Sequence, residues 1–245
     1  METTYAIISI MKVYWRTLKE KYTKDKDDFP FGMRFYDAPQ GGGKSLTMVF
    51  DALELKRRFP DMITISNIII KGLKNQRNFE TIDELIFLLE KSQNLKHTLV
   101  IIDEALTYFA ENGGIDPALM NKITQNRKCR RFMMIATQIF KRVNNRLRDF
   151  SLETVVCRSF WFLQINTVRD DTTLHWDKKE MDFVGRKKYT YVFKRNNKLF
   201  DSYNTFASVK LNTQISTASL FTPSPAPPLA TSERASGLFN KKGKK

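Results

Sequence analysis

The sequence predicts an α/β fold in which helices flank a mainly parallel central sheet. A glycine-rich turn, Asp37–Ser45, stands between a strand-like segment and a helical one. Short apolar segments rich in β-formers alternate with segments of helical periodicity, which is the order of a parallel sheet. One apolar segment, Leu99–Ile102, ends in two carboxylates, as strands do when they deliver an acid to the edge of a sheet.

The chain divides into three regions. Residues 1–28 are predicted to be an amphipathic helix and a charged linker, and residues 29–211 the main domain. This domain has a core at about 31–157 and a β-rich extension at about 158–206. Residues 212–245, which are rich in Ser and Pro and end in lysines, are predicted to be a disordered tail.

Periodicity and capping signals place the elements of the main domain. Leu46, Val49 and Leu53 recur at helical spacing, and Thr81 with Glu84 forms a capping-box pattern. The expected strands are Met33–Tyr36, Ile63–Ile70, Leu99–Ile102, Phe132–Ala136, Ser159–Ile165 and Lys188–Phe193, and the expected helices are Ser45–Arg58, Thr81–Lys91, Pro117–Asn126 and Ile139–Phe150. We expect the last two strands to form a hairpin whose aromatic residues pack a sheet face, with base stacking as the alternative.

The glycine-rich turn has the pattern of a phosphate-binding loop. From Ala38 it reads A-x-x-x-x-G-K-S, with Ala in place of the usual first Gly. Consecutive glycines let backbone N–H groups approach phosphate oxygens, Lys44 can reach the β and γ phosphates, and the Ser45 hydroxyl can hold Mg²⁺. The predicted nucleotide-binding residues are Pro39, Gln40, Gly41, Gly42, Gly43, Lys44, Ser45 and Leu46.

The acidic strand supplies the predicted catalytic groups. Asp103 would contact the metal ion or its water, and Glu104 would act as the general base for an attacking water. Gln138 follows the next strand, where it could touch the γ-phosphate or that water. The alternatives are a core strand that ends in a solvated acidic turn, and a plain turn residue at Gln138.

Composition narrows the classes of function. The net charge is +15, and most of it lies before the tail, which favours a polyanionic partner, either nucleic acid or a membrane surface. Cys129 and Cys157 lack metal-ligand spacing, and two histidines are too few for a metal cluster. An apolar run near 18 residues is also missing, so we expect no transmembrane helix, although the N-terminal helix could touch a membrane surface.

A basic stretch at 117–148 contains no acid. Its nine bases are Lys122, Arg127, Lys128, Arg130, Arg131, Lys141, Arg142, Arg146 and Arg148. Beside a nucleotide site, such a stretch could supply an arginine finger to a neighbouring subunit or line a channel that binds nucleic-acid phosphates. Arg127, Arg130 and Arg131 are our catalytic candidates for the finger, with Arg146 and Arg148 as alternatives.

Six landmarks make the chain similar to a known group of ATPases. They are Gln40–Ser45, Ser66–Ile68, Ile102–Ala105, Asn126–Arg130, Ala136–Gln138 and Leu199–Tyr203. Over about residues 31–206 the chain resembles the Zot-type ATPases of filamentous phages and the packaging ATPases of membrane-containing viruses, within the HerA–FtsK group. Filamentous-phage Zot proteins have a membrane-spanning helix after the ATPase domain, whereas this chain has a Pro/Ser-rich tail.

The resemblance implies a RecA-like P-loop NTPase that uses ATP and Mg²⁺ and moves DNA as a homo-oligomeric ring, with a hexamer expected. Because a Pro/Ser-rich tail stands where Zot proteins have a membrane-spanning helix, we expect genome packaging into a preformed capsid rather than export. The expected location is the host cytoplasm or the virion, and the expected further partner is a capsid vertex protein or a membrane protein. The alternatives are a phage assembly ATPase at the inner membrane, an ATP-gated DNA-binding or scaffold protein, and a small-molecule kinase.

Overall fold

The computed structural model describes residue 13 and residues 29–95, 97–109, 114–178 and 182–203. The predicted N-terminal helix, apart from one residue, and the predicted tail lie outside this part of the chain. The strands are β1 (Gly32–Asp37), β2 (Ile63–Ser66), β3 (Gln76–Asn78), β4 (Thr98–Ile102), β5 (Arg131–Thr137), β6 (Ser151–Phe160), β7 (Leu163–Asp177) and β8 (Asp182–Lys194). The α-helices are α1 (Lys44–Arg58), α2 (Ile82–Lys91), α3 (Pro117–Thr124), α4 (Asn145–Arg148) and α5 (Asn197–Phe200).

Eight strands of the described residues form one sheet in the order β3-β2-β4-β5-β1-β6-β7-β8. The six strands from β3 to β6 in this order run parallel, whereas β6, β7 and β8 pair antiparallel. Strand β5 follows β1 and β4 in sequence but lies between them in space. The predicted α/β class with a mainly parallel sheet is therefore confirmed, and the carboxyl ends of β1, β5 and β4 meet at one edge.

Helices bury both faces of the sheet. On one face, α1 places Val49 and Ala52 against a core that includes Tyr36 of β1 and residues of β5, β6 and β8. On the other face, Leu85 of α2 and Leu119 of α3 pack over β4 and β5. Because β4 and β5 are buried on both faces, their sequences are continuous apolar runs rather than alternating ones.

The capping signal at the start of α2 is confirmed. Thr81 Oγ1 accepts a hydrogen bond from Glu84 N at 3.2 Å. The Glu84 carboxylate in turn accepts one from Thr81 N at 3.4 Å. This reciprocal pair satisfies two amides that have no partner within the helix, and so it sets the start of the helix.

Two predicted elements are shorter than expected. The strand predicted at Ile63–Ile70 ends at Ser66, and Ile70 instead forms an isolated bridge with Tyr203. The helix predicted at Ile139–Phe150 is wrong: the chain forms a 3-10 turn, becomes extended at Val143 and then forms the short α4. Val143 and Leu147 are buried, so the apolar spacing reflects burial in separate turns rather than one continuous helix face.

The β-rich extension also differs from the prediction. The segment Ser159–Ile165 is not one strand, because the chain turns at Trp161, whose φ is 51°. Strand β6 starts at Ser151, so the expected border near residue 157 falls inside a strand. The polar segment expected between the two hairpin strands consists largely of the outer halves of β7 and β8. Among the described side chains of these outer halves, Thr172, Thr173, Arg186 and Lys187 are exposed.

Candidate active site

The glycine-rich turn connects β1 to α1 at the carboxyl edge of the sheet. Gly41 and Gly43 have φ values of 78° and 84°, which few L side chains adopt. Helix α1 begins at Lys44, so the amides of its first turn, including that of Leu46, lack helical partners and face the turn. The Leu46 side chain is buried. Its backbone amide is therefore the group that is available to a ligand, together with the positive end of the helix dipole.

The Ser45 hydroxyl and the Asp103 carboxylate lie side by side. Ser45 Oγ is 3.0 and 2.9 Å from the two carboxylate oxygens of Asp103, which follows β4. Burial raises the pKa of the Asp103 carboxyl, while the hydrogen bond from Ser45 and the charge of Lys44 act in the opposite direction. A hydroxyl and a carboxylate held this close suit Mg²⁺, which prefers oxygen ligands and retains several waters.

Glu104 lies between two polar groups of neighbouring elements. Its Oε1 is 3.4 Å from Lys44 Nζ, and its Oε2 accepts a hydrogen bond from Gln138 Nε2 at 3.2 Å. Because β5 lies between β1 and β4, Gln138 at the end of β5 reaches the acid at the end of β4. Lys44, Glu104 and Gln138, which are far apart in the sequence, thus lie together at the carboxyl edge of the sheet.

Asn67 holds the acidic strand end in place. Its Nδ2 donates to Asp103 O at 2.8 Å, and its Oδ1 accepts from Asp103 N at 2.8 Å. This pair of bonds fixes the backbone of the acid to the end of β2. The landmark Ser66–Ile68 drew attention to this position, but the sequence did not indicate its partner.

Two buried side chains of β7 contact the glycine-rich turn and the first turn of α1, and sequence reasoning missed both. Gln164 Nε2 donates to Gly42 O at 3.0 Å, and Asn166 Oδ1 accepts from Thr47 Oγ1 at 3.0 Å. Gln164 and Asn166 are fully buried. A Cβ on Gly43 would lie 2.2 Å from Gln164 Oε1, so glycine is required here by contact as well as by φ. The sequence signal that could have indicated them is the occurrence of two polar residues, Gln164 and Asn166, two positions apart within a mostly apolar segment.

Arg131 is a structural residue, which corrects its prediction as an arginine finger. Its side chain is 1% exposed. It donates from Nη2 to Leu89 O at 2.9 Å and from Nη1 to Lys122 O at 3.1 Å, and thereby joins α2 to α3. A guanidinium enclosed in this way cannot reach a second subunit.

Arg127 and Arg130 are exposed, but they lie far from the glycine-rich turn of their own chain. They precede β5, whereas Gln138 follows it, and seven residues of strand span about 20 Å. Strand β5 therefore divides the basic stretch between opposite edges of the sheet. Arg127, Lys128 and Arg130 lie at the amino edge, whereas the exposed Lys141, Arg142 and Arg146 follow the carboxyl edge.

No family model matches the chain, and no curated protein matches it. Among solved structures, it is similar to the N-terminal domain of zonular occludens toxin from Neisseria meningitidis, with 16% identity and a TM-score of 0.51, over 71% of this chain and 98% of that one. It is also similar to the genome-packaging NTPase B204 of Sulfolobus turreted icosahedral virus 2, with 11% identity and a TM-score of 0.48, over 63% and 97%. The chain has the fold of the P-loop NTPases.

Among the described residues, the helices are all too short or too polar to cross a membrane.

Proposed function

We propose that the chain is an ATPase that works as an oligomeric ring and moves DNA, packaging a viral genome into a preformed capsid. The observation that carries the proposal is the meeting of Lys44, Ser45, Asp103, Glu104 and Gln138 at the glycine-rich turn. A triphosphate on that turn would have its γ-phosphate beside a carboxylate that can accept a proton.

The residues divide the chemical work. The amides of the turn and Lys44 hold the phosphates, and Ser45 with Asp103 would hold Mg²⁺. When bound, Mg²⁺ offsets the negative charge on the phosphate oxygens. Glu104 orients a water and takes its proton as the water oxygen bonds to the γ-phosphorus and the bond to the β–γ bridging oxygen breaks. Gln138 holds the Glu104 carboxylate in place.

Glu104 changes partners in this proposal. Without a phosphate, its carboxylate contacts both Lys44 and Gln138. A γ-phosphate carries more negative charge than one carboxylate, so it draws Lys44 away and leaves Glu104 to the water. Hydrolysis then depends on a complete triphosphate, as a motor that couples each step to one nucleotide requires.

The exposed bases support the proposals for DNA and for the ring. Arg127 and Arg130 can reach a nucleotide only on a second copy of the chain, because their own turn is at the opposite edge. Lys141, Arg142 and Arg146 lie three to eight residues after Gln138, so phosphates bound there would be at the same edge of the sheet as the proposed hydrolysis site. Contacts of this kind bind nucleic acid without reading sequence.

The test of the proposed function is the ATPase rate of the purified full chain with and without single- and double-stranded DNA, alongside the mass of the assembly. We expect an oligomer whose hydrolysis is stimulated by DNA of any sequence. Lys44→Ala should abolish hydrolysis, whereas Lys74→Ala, which replaces an exposed lysine outside the site, should not. Hydrolysis by the Lys44→Ala chain at the wild-type rate would disprove the site.

A second candidate is a phage assembly ATPase that acts at the inner membrane, which the sequence landmarks shared with the Zot-type ATPases of filamentous phages favour. Co-expression with the phage partners followed by fractionation separates the two: recovery with the membrane supports assembly, and recovery with capsids supports packaging.

A third candidate, a DNA-binding scaffold, predicts that Glu104→Gln leaves the biological activity intact.

A further inference from the structure

Three consecutive aromatic residues at the turn between β6 and β7 form what we call the aromatic tip. Phe160, Trp161 and Phe162 are 53%, 83% and 56% exposed. The rings of Phe160 and Trp161 are nearly parallel, with an interplanar angle of 13° and centroids 6.0 Å apart. The expectation that this segment packs a sheet face is therefore wrong for these residues, which present flat apolar surfaces to the outside.

The aromatic tip is attached to the glycine-rich turn. Ser159 Oγ, one residue before the tip, lies 3.3 Å from Gly41 O and 3.0 Å from Gln164 Oε1, and its single hydrogen can be donated to either acceptor. Gln164, two residues after it, donates to Gly42 O. Trp161 is two residues from Ser159, a distance of at most about 7 Å along the chain. The two flanking residues hold the tip beside the loop that we assign to the phosphates.

The backbone of the aromatic tip is held in one arrangement. Arg195 N donates to Phe162 O at 2.7 Å, which joins the tip to the end of β8. Trp161 adopts a φ of 51°, which is costly for a bulky side chain and persists only where the surroundings enforce it. Side chains on a backbone that is already fixed lose less conformational freedom when they stack a flat ligand.

We infer that the aromatic tip is the platform on which the base of the bound nucleotide stacks, with Trp161 as the principal contact and Phe160 beside it. The inference rests on the proposed function, because it requires the triphosphate to lie on the glycine-rich turn. Every base has a π-face that can stack on an aromatic ring. Stacking alone does not distinguish one base from another, so we expect the site to accept GTP almost as well as ATP.

A base of the nucleotide is the occupant that the contacts favour. Gln164 donates to Gly42 O, and the Ser159 hydroxyl lies between Gly41 O and Gln164 Oε1, so both residues that flank the tip contact the glycine-rich turn and set the position of the tip relative to the phosphate site. A strand of DNA or the surface of a second subunit would not require that link. These two occupants are therefore outcomes of the test.

The test compares ATP with inorganic tripolyphosphate, which has the phosphates but no base, in binding to the full-length chain. Trp161→Ala should weaken ATP binding by about 5- to 100-fold, the usual range for loss of one aromatic–base stack, and leave tripolyphosphate binding unchanged. Trp161→Phe should retain most of the ATP affinity. Phe87→Ala, which removes a similarly exposed aromatic from α2, should change neither.

Steady-state kinetics and fluorescence provide independent readouts. Trp161→Ala should raise KM for ATP with kcat unchanged, because base stacking is the same in the ground and transition states. In a chain that carries Trp15→Phe and Trp176→Phe, the emission of Trp161 should change on addition of ATP and not on addition of tripolyphosphate.

Three results would overturn the inference. They are an equal loss of ATP and tripolyphosphate binding in Trp161→Ala, an unchanged ATP affinity, and a loss confined to DNA binding or to assembly. Failure of the proposed function looks different, because Lys44→Ala would then bind both tripolyphosphate and ATP like the wild type.

Discussion

Three non-glycine residues in the described part of the chain have a positive φ, and each lies at a position with a proposed role. Glu104 has a φ of 56° at the acidic strand end, Arg130 has 47° at the amino edge, and Trp161 has 51° at the aromatic tip. This conformation costs L side chains about 1–2 kcal/mol. Such strain persists where the surrounding structure enforces it, and it concentrates at functional sites.

Glu104→Gln should keep nucleotide bound while slowing hydrolysis by about 10²-fold or more, the usual loss for a missing general base. The amide has nearly the same shape as the carboxylate, so the turn, Ser45 and Asp103 remain in place. Single-turnover hydrolysis with a parallel nucleotide-binding assay measures both properties. Glu80→Gln, an exposed position outside the site, is the control, and a normal rate in Glu104→Gln would show that another group is the base.

Gly43→Ala should weaken nucleotide binding by at least about tenfold. A side chain at this φ is strained, and the new Cβ would meet Gln164 Oε1. Removing Gln164 as well should restore only part of the affinity, because the backbone strain remains. Gly114→Ala is the matched control, since a Cβ there meets no heavy atom within 4 Å. If Gly43→Ala, the variant that also lacks Gln164, and Gly114→Ala all bind nucleotide with equal affinity, the turn does not hold the phosphates.

At the scale of elements, a charged cluster joins β1 to the antiparallel part of the sheet. Arg34 Nε on β1 donates to Glu153 Oε2 on β6 at 2.9 Å, and Lys188 Nζ on β8 donates to Glu153 Oε1 at 2.8 Å. Burial alone would raise the pKa of Glu153, but Arg34 and Lys188 hold it below its ordinary value. The cluster thereby fixes the extension that carries the aromatic tip and Gln164 against the strand that leads into the glycine-rich turn.

Glu153→Gln should lower the free energy of unfolding by about 1–3 kcal/mol, because it leaves the mostly buried Arg34 with weaker partners. Urea denaturation at neutral pH measures the loss. Glu54→Gln is the control: its partner Arg57 is largely exposed, so we expect a change within about 0.5 kcal/mol. Equal effects of the two substitutions would show that the cluster does not stabilise the sheet.

The contribution of Glu153 should also depend on pH in one direction. Its pKa in the folded chain is below that in the unfolded chain, which is about 4.3. The stabilisation is therefore fully present above about pH 4.3 and is lost as the pH falls through the lower folded value. The stability difference between wild type and Glu153→Gln should shrink in this acidic range, and a difference that grows there would contradict the assignment.

At the scale of the whole molecule, the sheet separates two sets of charges. The proposed nucleotide-binding residues lie at its carboxyl edge, and Arg127 and Arg130 lie at its amino edge. A single copy cannot bring them together. Contact between the two edges of different copies is a head-to-tail arrangement, which closes into a ring when the rotation permits. The position of these arginines therefore supports the proposed ring.

Mixing two inactive variants should restore part of the activity. Lys44→Ala lacks the proposed phosphate-binding lysine, and the double variant Arg127→Ala/Arg130→Ala lacks the proposed arginine finger. In a one-to-one mixture, about a quarter of head-to-tail interfaces pair an intact site with an intact arginine. We therefore expect up to about a quarter of the wild-type ATPase rate.

The control for this experiment mixes Lys44→Ala with Glu104→Gln. Both substitutions damage the same site, so no interface is complete and the rate should stay low. No recovery in the first mixture at any ratio would exclude action of these arginines across an interface. Recovery in both mixtures would show that the recovered rate does not depend on pairing an intact site with an intact arginine.

The sequence by itself determined the features that are encoded in contiguous residues. The turn Asp37–Ser45, the acidic end of β4 and the capping box of α2 each depend on neighbours within a few positions, so local pattern was enough to predict them. The alternation of strands and helices then restricted the sheet to a mainly parallel one. The helix predicted at Ile139–Phe150 failed because buried residues in separate turns can reproduce helical spacing.

Only the tertiary structure decided which distant residues meet. Gln164 bonds to Gly42 across 122 residues, and the burial of Arg131, the division of the basic stretch and the exposure of Trp161 all depend on the order of strands in the sheet. Local sequence preferences do not specify that order, because it results from the packing of the whole chain. The physical reason is that parallel strands pair across long connections, so the groups that surround the glycine-rich turn are brought there by topology.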